Sequence, residues 1–205
     1  MTAVFVAVEG PNGVGKSTIA KLLAQRMNGW QSHPAILTTE PTRSPLGDLL
    51  RASEWTLHGR ALALALAADR AHHIDTEIIP ALDLGEHVVT DRYVQSSMVL
   101  QRIDGIDPDE IWTYNQYALQ CTTFYLEDEP EVIAARLRLR HGLTRLELTG
   151  TPEQELAYYR EAAAFLAHPD HNWTQHMINC HRRDPGAIVD EILGLLNRDT
   201  PGSSH

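Results

Sequence analysis

Ala3-Val4-Phe5-Val6-Ala7-Val8-Glu9-Gly10-Pro11-Asn12-Gly13-Val14-Gly15-Lys16-Ser17-Thr18 is the stretch from which the rest of the chain can be read. Ala3–Val8 is apolar and rich in β-branched side chains, the pattern of a buried strand. Gly10 to Ser17 then fits a glycine, four residues and Gly-Lys-Ser/Thr. Beyond it Ile19, Leu22, Leu23 and Met27 recur at helical spacing, so Ser17–Arg26 reads as a helix. A strand, a glycine loop and a helix in that order form a phosphate-binding loop. Backbone N–H groups there approach polyphosphate oxygens, and the positive end of the helix faces them. Gly10, Asn12, Gly13, Val14, Gly15, Lys16, Ser17 and Thr18 are the expected nucleotide contacts. Lys16 would neutralise the β- and γ-phosphates, and Ser17 would ligate Mg²⁺.

Further strand-like runs follow at Ala35–Thr38, His87–Thr90, Thr122–Leu126 and, more weakly, His176–Asn179. Helical patterns separate them at Pro45–Ala52, Ala61–Leu84, Asp109–Gln120, Pro130–Leu139, Pro152–Leu166 and Pro185–Leu196. Strands alternating with helices predict an α/β fold, a parallel sheet with helices on both faces. Ligands collect at the carboxyl ends of such strands. The third run ends in Asp91-Arg92-Tyr93. Asp91 is placed to join Ser17 in a magnesium shell, and the planar fork of Arg92 to clamp a second phosphate.

Composition bounds the function. The chain has 205 residues, enough for one domain with a substantial core, and 43% of them are hydrophobic. Lys+Arg is 17 against Asp+Glu 27, a net charge of −10, which argues against a nucleic-acid or anionic-membrane partner. The longest apolar run, Ala61–Ala68, is far too short for a membrane span. The opening Met1–Gly10 carries no basic region or cleavage pattern, and Cys121 and Cys180 form no metal spacing or disulfide framework, so a cytoplasmic protein is expected. Only two of the basic residues are lysines, Lys16 and Lys21. The histidines His72, His73, His168, His171, His176 and His181 lack metal-ligand spacing. The scattered tryptophans form no platform for single strands.

Several segments carry a family resemblance. They are Val8-Glu9-Gly10…Gly15-Lys16-Ser17-Thr18, Thr39-Glu40-Pro41…Pro45-Leu46-Gly47-Asp48, Ala67-Ala68-Asp69-Arg70-Ala71-His72-His73, Ile79-Pro80-Ala81-Leu82, and Gly85–Tyr93 with Ser96-Ser97. Tyr125-Leu126-Glu127 and the arginine-rich stretch to Arg145-Leu146-Glu147 extend the match. In order and spacing the chain resembles the thymidylate kinases, within the nucleoside monophosphate kinases. The resemblance implies a three-layer P-loop kinase fold with a five-stranded parallel sheet, a single domain over residues 1–198, a lid at about 136–150 and a disordered tail at 199–205. It also implies ATP, Mg²⁺, a pyrimidine nucleoside monophosphate as acceptor (dTMP or a related or modified nucleotide) and a homodimer.

Carried over by position, Arg92 resembles the arginine that holds the acceptor phosphate, and Arg70 the one that reads the base. Ser97 and Gln101 fall where the base and sugar pocket is completed. Gly13 stands where one subgroup has a catalytic arginine, so the lid arginines Arg136, Arg138, Arg140 and Arg145 are the alternative source of positive charge, with Arg140 and Arg145 favoured. The chain also departs from the family. Thr39 replaces an arginine, for which Arg43 is a substitute. Asn12 replaces an acid, Leu66 a stacking phenylalanine, and Leu100 a tyrosine beside the sugar. These changes gather on the acceptor side and leave open a modified pyrimidine nucleotide or a ribonucleotide as acceptor. A deoxynucleoside kinase with Glu40 as general base is the alternative reading. A nucleotide switch is disfavoured by the lack of Asn-Lys-x-Asp, and a motor ATPase by the arginine after Asp91.

Overall fold

The computed structural model describes residues 3–53, 55–140 and 145–199. Its strands are β1 (Phe5–Glu9), β2 (Ala35–Thr39), β3 (His87–Asp91), β4 (Thr122–Glu127) and β5 (Gln175–Asn179). They form one five-stranded sheet in the order β2-β3-β1-β4-β5, with every neighbouring pair parallel. The helices are α1 (Lys16–Met27), α2 (Pro45–Ala52), α3 (Gly59–His73), α4 (Ile79–Asp83), α5 (Val94–Ile103), α6 (Pro108–Asn115), α7 (Pro130–Arg138), α8 (Arg145–Thr149), α9 (Pro152–Ala167) and α10 (Pro185–Asp199).

β1 shows why the fold has three layers. All of its residues are buried, and alternate side chains face opposite sides. Val6 and Val8 join Leu23 and Met27 of α1 and Ile188 and Ile192 of α10. Phe5 and Ala7 join Met98 and Val99 of α5, Ile111 of α6 and Tyr159 of α9. Two cores thus lie back to back across the sheet. No helix among the described residues is long and apolar enough to cross a membrane.

Some elements differ from the sequence reading. The expected helix 61–84 is α3 and α4 joined by a π turn, Ile74–Ile78. That wider turn lies directly before Pro80, which has no N–H for the Thr76 carbonyl. The expected helix 109–120 stops at Asn115, where the Ala118 N–H turns back to the Asn115 carbonyl at 2.9 Å. α5 has no counterpart among the expected helices: its buried residues include the polar Gln95, Ser96, Ser97 and Gln101, and no side-chain cap marks its start. Asp199, assigned to the tail, ends α10 and bonds His176 at 2.7 Å. Residues 200–205 of the tail and 141–144 of the lid lie outside the described residues.

Candidate active site

The phosphate loop connects β1 to α1 at the carboxyl end of the sheet. Gly10 has φ +136, and a Cβ there would stand 2.6 Å from the Leu126 carbonyl oxygen, so the loop passes too close to β4 for a side chain. Lys16 is buried and donates to the carbonyls of Gly10 (2.7 Å) and Pro11 (2.8 Å). Burial, with Arg92 nearby, lowers its pKa to about 7, although Asp91, Glu9 and Glu155 pull the other way. A side chain at Gly13 would meet Leu137 of α7 at 3.0 Å, so α7 roofs that position.

Asp91 closes β3 beside the loop. Ser17 Oγ donates to Asp91 Oδ2 at 2.5 Å. Asp91 Oδ1 is buried with no hydrogen-bond partner among the described residues. A hydroxyl and a carboxylate with a spare buried oxygen fit a hard cation such as Mg²⁺, which takes few protein ligands and keeps water and phosphate oxygens.

Arg92 follows with φ 78, a left-handed backbone that a non-glycine residue holds only under constraint. The constraint comes from Glu9, which is wholly buried. Its carboxylate accepts the N–H groups of Tyr93 (2.7 Å) and Ser96 (3.0 Å) and the Ser96 hydroxyl (2.5 Å). A β1 side chain therefore caps α5, which has no side-chain cap of its own. Burial raises the Glu9 pKa even against these donors. The Arg92 guanidinium donates to Asn12 Oδ1 (2.5 Å) and Ser96 Oγ (3.3 Å). Asn12 is held in turn by Glu155 of α9, which accepts its backbone N–H at 2.8 Å and its amide at 3.4 Å. Burial also raises the Glu155 pKa. Two buried carboxylates thus set Arg92 through one intermediary each.

Beyond Arg92 lies a cavity. Glu40, Leu66, Arg70, Arg92, Ser97, Leu100 and Gln101 all line it, with Pro41, Tyr93 and Ser96. Arg70 of α3 is buried and donates to Glu40 (2.8 Å), the Tyr93 carbonyl (3.0 Å), Ser97 Oγ (2.9 Å) and Asn115 Oδ1. His73 stands 3.1 Å from the other Glu40 oxygen. The side-chain amide of Gln101 is buried with both polar atoms unpartnered among the described residues. Arg43 is exposed on the β2–α2 loop and does not line the cavity.

The lid arginines divide. Arg136 of α7 reaches the Val14 carbonyl of the phosphate loop at 3.3 Å and Asp128 at 2.9 Å. Arg138 and Arg140 are exposed at and just past the end of α7. Arg145 of α8 is paired with Asp104, at the far end of α5. Glu9, Glu155 and Asn115 are site residues that the sequence does not single out. Glu155 lies 143 positions from Asn12, and only its place in the first turn of a helix could have pointed to it.

Comparison with known proteins agrees with this arrangement. The sequence profile of the family described as thymidylate kinase matches residues 8–181. The chain is 40% identical to a thymidylate kinase of Clavibacter michiganensis subsp. michiganensis over 180 residues, covering 81% of each chain. It is 36% identical to a probable thymidylate kinase of Pyrococcus horikoshii over 206 residues, covering 95% of this chain and 100% of the relative. In fold it is similar to the crystal structure of thymidylate kinase from Ehrlichia chaffeensis, with TM-score 0.70 at 21% identity over 96% of this chain and 100% of the other. With a phosphate loop, an arginine at the tip of β3 and a cavity beyond it, the chain belongs to the thymidylate kinase family.

Proposed function

We propose that the protein transfers the γ-phosphoryl group of ATP to dTMP, giving dTDP and ADP. The observation that carries the reading is the position of Arg92. It bonds the phosphate loop through Asn12 and also lines the neighbouring cavity. One guanidinium therefore faces both a donor polyphosphate on Lys16 and an acceptor phosphate at the cavity mouth.

An acceptor phosphate oxygen attacks the γ-phosphorus, and the bond to the β-bridging oxygen breaks. The attacking oxygen is already anionic at neutral pH, so no protein base is required. The protein's contribution is alignment and charge. Lys16 and Arg92 flank the transferring group, and Arg140 is the lid cation proposed to complete its charge, whereas Arg145, expected beside it, is held by Asp104 at the far end of α5. Ser17 and Asp91 would hold Mg²⁺, which when bound supplies charge neutralisation at the β- and γ-oxygens. In the cavity Arg70 and Gln101 offer donors and an acceptor to a pyrimidine edge, with Ser97 supporting Arg70 and Leu66 and Leu100 forming apolar walls. Arg43 could meet the acceptor only from the exposed loop. The alternative, a nucleoside kinase with Glu40 as base, is disfavoured because Arg70 and His73 engage both Glu40 oxygens. The exposed Leu64 and Ile79 on the outer side of α3 and α4 support a homodimer, which sedimentation velocity tests.

The deciding experiment offers Mg-ATP with dTMP, dUMP, UMP, CMP, 5-hydroxymethylated pyrimidine nucleotides and thymidine, and follows ADP release. dTMP is expected to turn over best. Preference for a modified nucleotide or a ribonucleotide would reassign the acceptor, and turnover of thymidine alone would overturn the reading. Arg92→Ala should weaken catalytic efficiency toward the acceptor by about a hundredfold or more while ATP binding persists. Unchanged acceptor kinetics would remove Arg92 from the site.

A further inference from the structure

Asp104 caps the carboxyl end of α5, one turn past Gln101. Its side chain is largely buried, at 8% exposure. Arg145 of α8 grips it with both terminal nitrogens, Nη1 on Oδ1 at 2.7 Å and Nη2 on Oδ2 at 2.9 Å. Oδ2 also accepts the backbone N–H of Gly59, the first residue of α3, at 3.1 Å. One carboxylate therefore ties together the start of α3, the end of α5 and the start of α8. α3 and α5 are the two walls of the cavity: α3 carries Leu66 and Arg70, and α5 carries Ser97, Leu100 and Gln101. α8 packs against α5.

We propose that Asp104 is a positioning residue for the acceptor: through Arg145 it fastens α8 to the two helices that wall the acceptor cavity. A forked guanidinium–carboxylate pair suits this role because it fixes orientation as well as distance, and a lysine cannot reproduce both bonds at once. The pair is sheltered, with Arg145 at 18% and Asp104 at 8% exposure, so it escapes most of the screening that makes surface pairs weak. Arg145 in this position acts on acceptor binding and not on the transferring phosphate. The proposal rests on the reading of the cavity as the acceptor site.

The test combines exchange and kinetics on the full-length protein. Hydrogen–deuterium exchange without nucleotide should show faster exchange over residues 145–149 in Asp104→Asn and Arg145→Gln than in the wild type. Both variants should raise KM for dTMP by about five- to tenfold, with KM for ATP and kcat nearly unchanged. Their double variant should be no worse than either alone, and Arg145→Lys should fall between wild type and Arg145→Gln. Unchanged exchange in α8 overturns the fastening. Faster exchange with unaltered acceptor KM makes the pair merely structural and overturns the positioning role. If Arg145→Gln instead turns over about a hundredfold more slowly while Asp104→Asn is unaffected, Arg145 belongs to the transferring phosphate and the proposal is equally overturned. A wild type idle on every monophosphate refutes the acceptor reading, while the exchange measurement still decides the fastening.

Discussion

Lys16 is one of only two lysines in the chain, and the structure buries it. An ammonium in that position loses hydration, and the carbonyls of Gly10 and Pro11 only partly replace it. Its pKa near 7 means that the empty loop holds a lysine with little charge at pH 8. An arriving polyphosphate favours the charged form, so nucleotide binding is expected to take up a proton. At pH 6 the lysine is charged in both states and the uptake vanishes; by pH 8 it approaches one proton per site. Titration calorimetry of Mg-ADP binding in buffers of different ionisation enthalpy measures this directly. Lys16→Met should lose the uptake and slow turnover by at least about a thousandfold. Absence of uptake in the wild type at pH 8 would mean that the empty loop already holds a charged lysine. The same displacement affects folding. The unfolded lysine binds its proton up to about pH 10.4, so the empty protein gains stability as pH rises from about 7 toward that value.

Among the elements, α2 and the turn before it show how tightly the acceptor side is built. Asp69 of α3 accepts the Thr42 N–H (2.7 Å) and hydroxyl (2.6 Å), locking the turn that follows Glu40-Pro41. Ser44 caps α2 by accepting the Gly47 N–H. A Cβ on Gly47 would fall 2.0 Å from the Thr42 carbonyl oxygen and 2.6 Å from its carbon. Because Asp69 holds Thr42, the turn cannot retreat. Gly47→Ala should therefore cost about 1–3 kcal/mol and raise the acceptor KM, since Glu40 and Pro41 line the cavity. Gly194→Ala on the exposed face of α10, where nothing lies within 4 Å, should instead gain about 0.5–1 kcal/mol. Urea midpoints of the two variants check both signs; a Gly47→Ala protein as stable as wild type would show that the turn yields. These elements differ in how openly the sequence declares them. β1 is legible because both of its faces are covered, leaving an unbroken apolar run, whereas the part-exposed β5, Gln175–Asn179, declares itself only weakly. α2 is legible from its Ser-Pro start. α5 is not, because the polar Gln95, Ser96, Ser97 and Gln101 are among its buried residues and its cap arrives from Glu9 on another strand. The site divides in the same way. Lys16, Ser17, Asp91 and Arg92 stand in contiguous motifs, whereas Glu155, Asn115 and Asp104 take their meaning from partners that only folding brings near.

For the whole molecule, the net charge of −10 describes the exterior, while Lys16, Arg70 and Arg92 gather at one end of the sheet. Phosphate chemistry is thus confined to the carboxyl ends of the strands. The opposite end is held by different means and should answer to pH separately. His87 opens β3 there, fully enclosed. Its Nδ1 accepts the Val4 N–H at 3.1 Å, so its Nε2 carries the proton and donates to the Trp30 carbonyl at 3.1 Å. The Val4 bond requires the neutral ring. Burial, opposed by the Trp30 bond and assisted by the neighbouring His33, lowers its pKa below the ordinary 6.5. Above pH 6.5 the ring is neutral in both folded and unfolded states, and its contribution to stability is complete. As pH falls below that value the unfolded chain takes up the proton first, and the contribution is lost progressively through the folded pKa. His87→Gln can accept from Val4 and donate to Trp30 without titrating. Between pH 8 and pH 5 the wild type should therefore lose more in Tm than His87→Gln. The difference should be the same with and without Mg-ADP, because the ring lies at the far end of the sheet from the phosphate loop. Parallel losses in the two proteins would show that His87 takes up its proton in the folded state as readily as in the unfolded one.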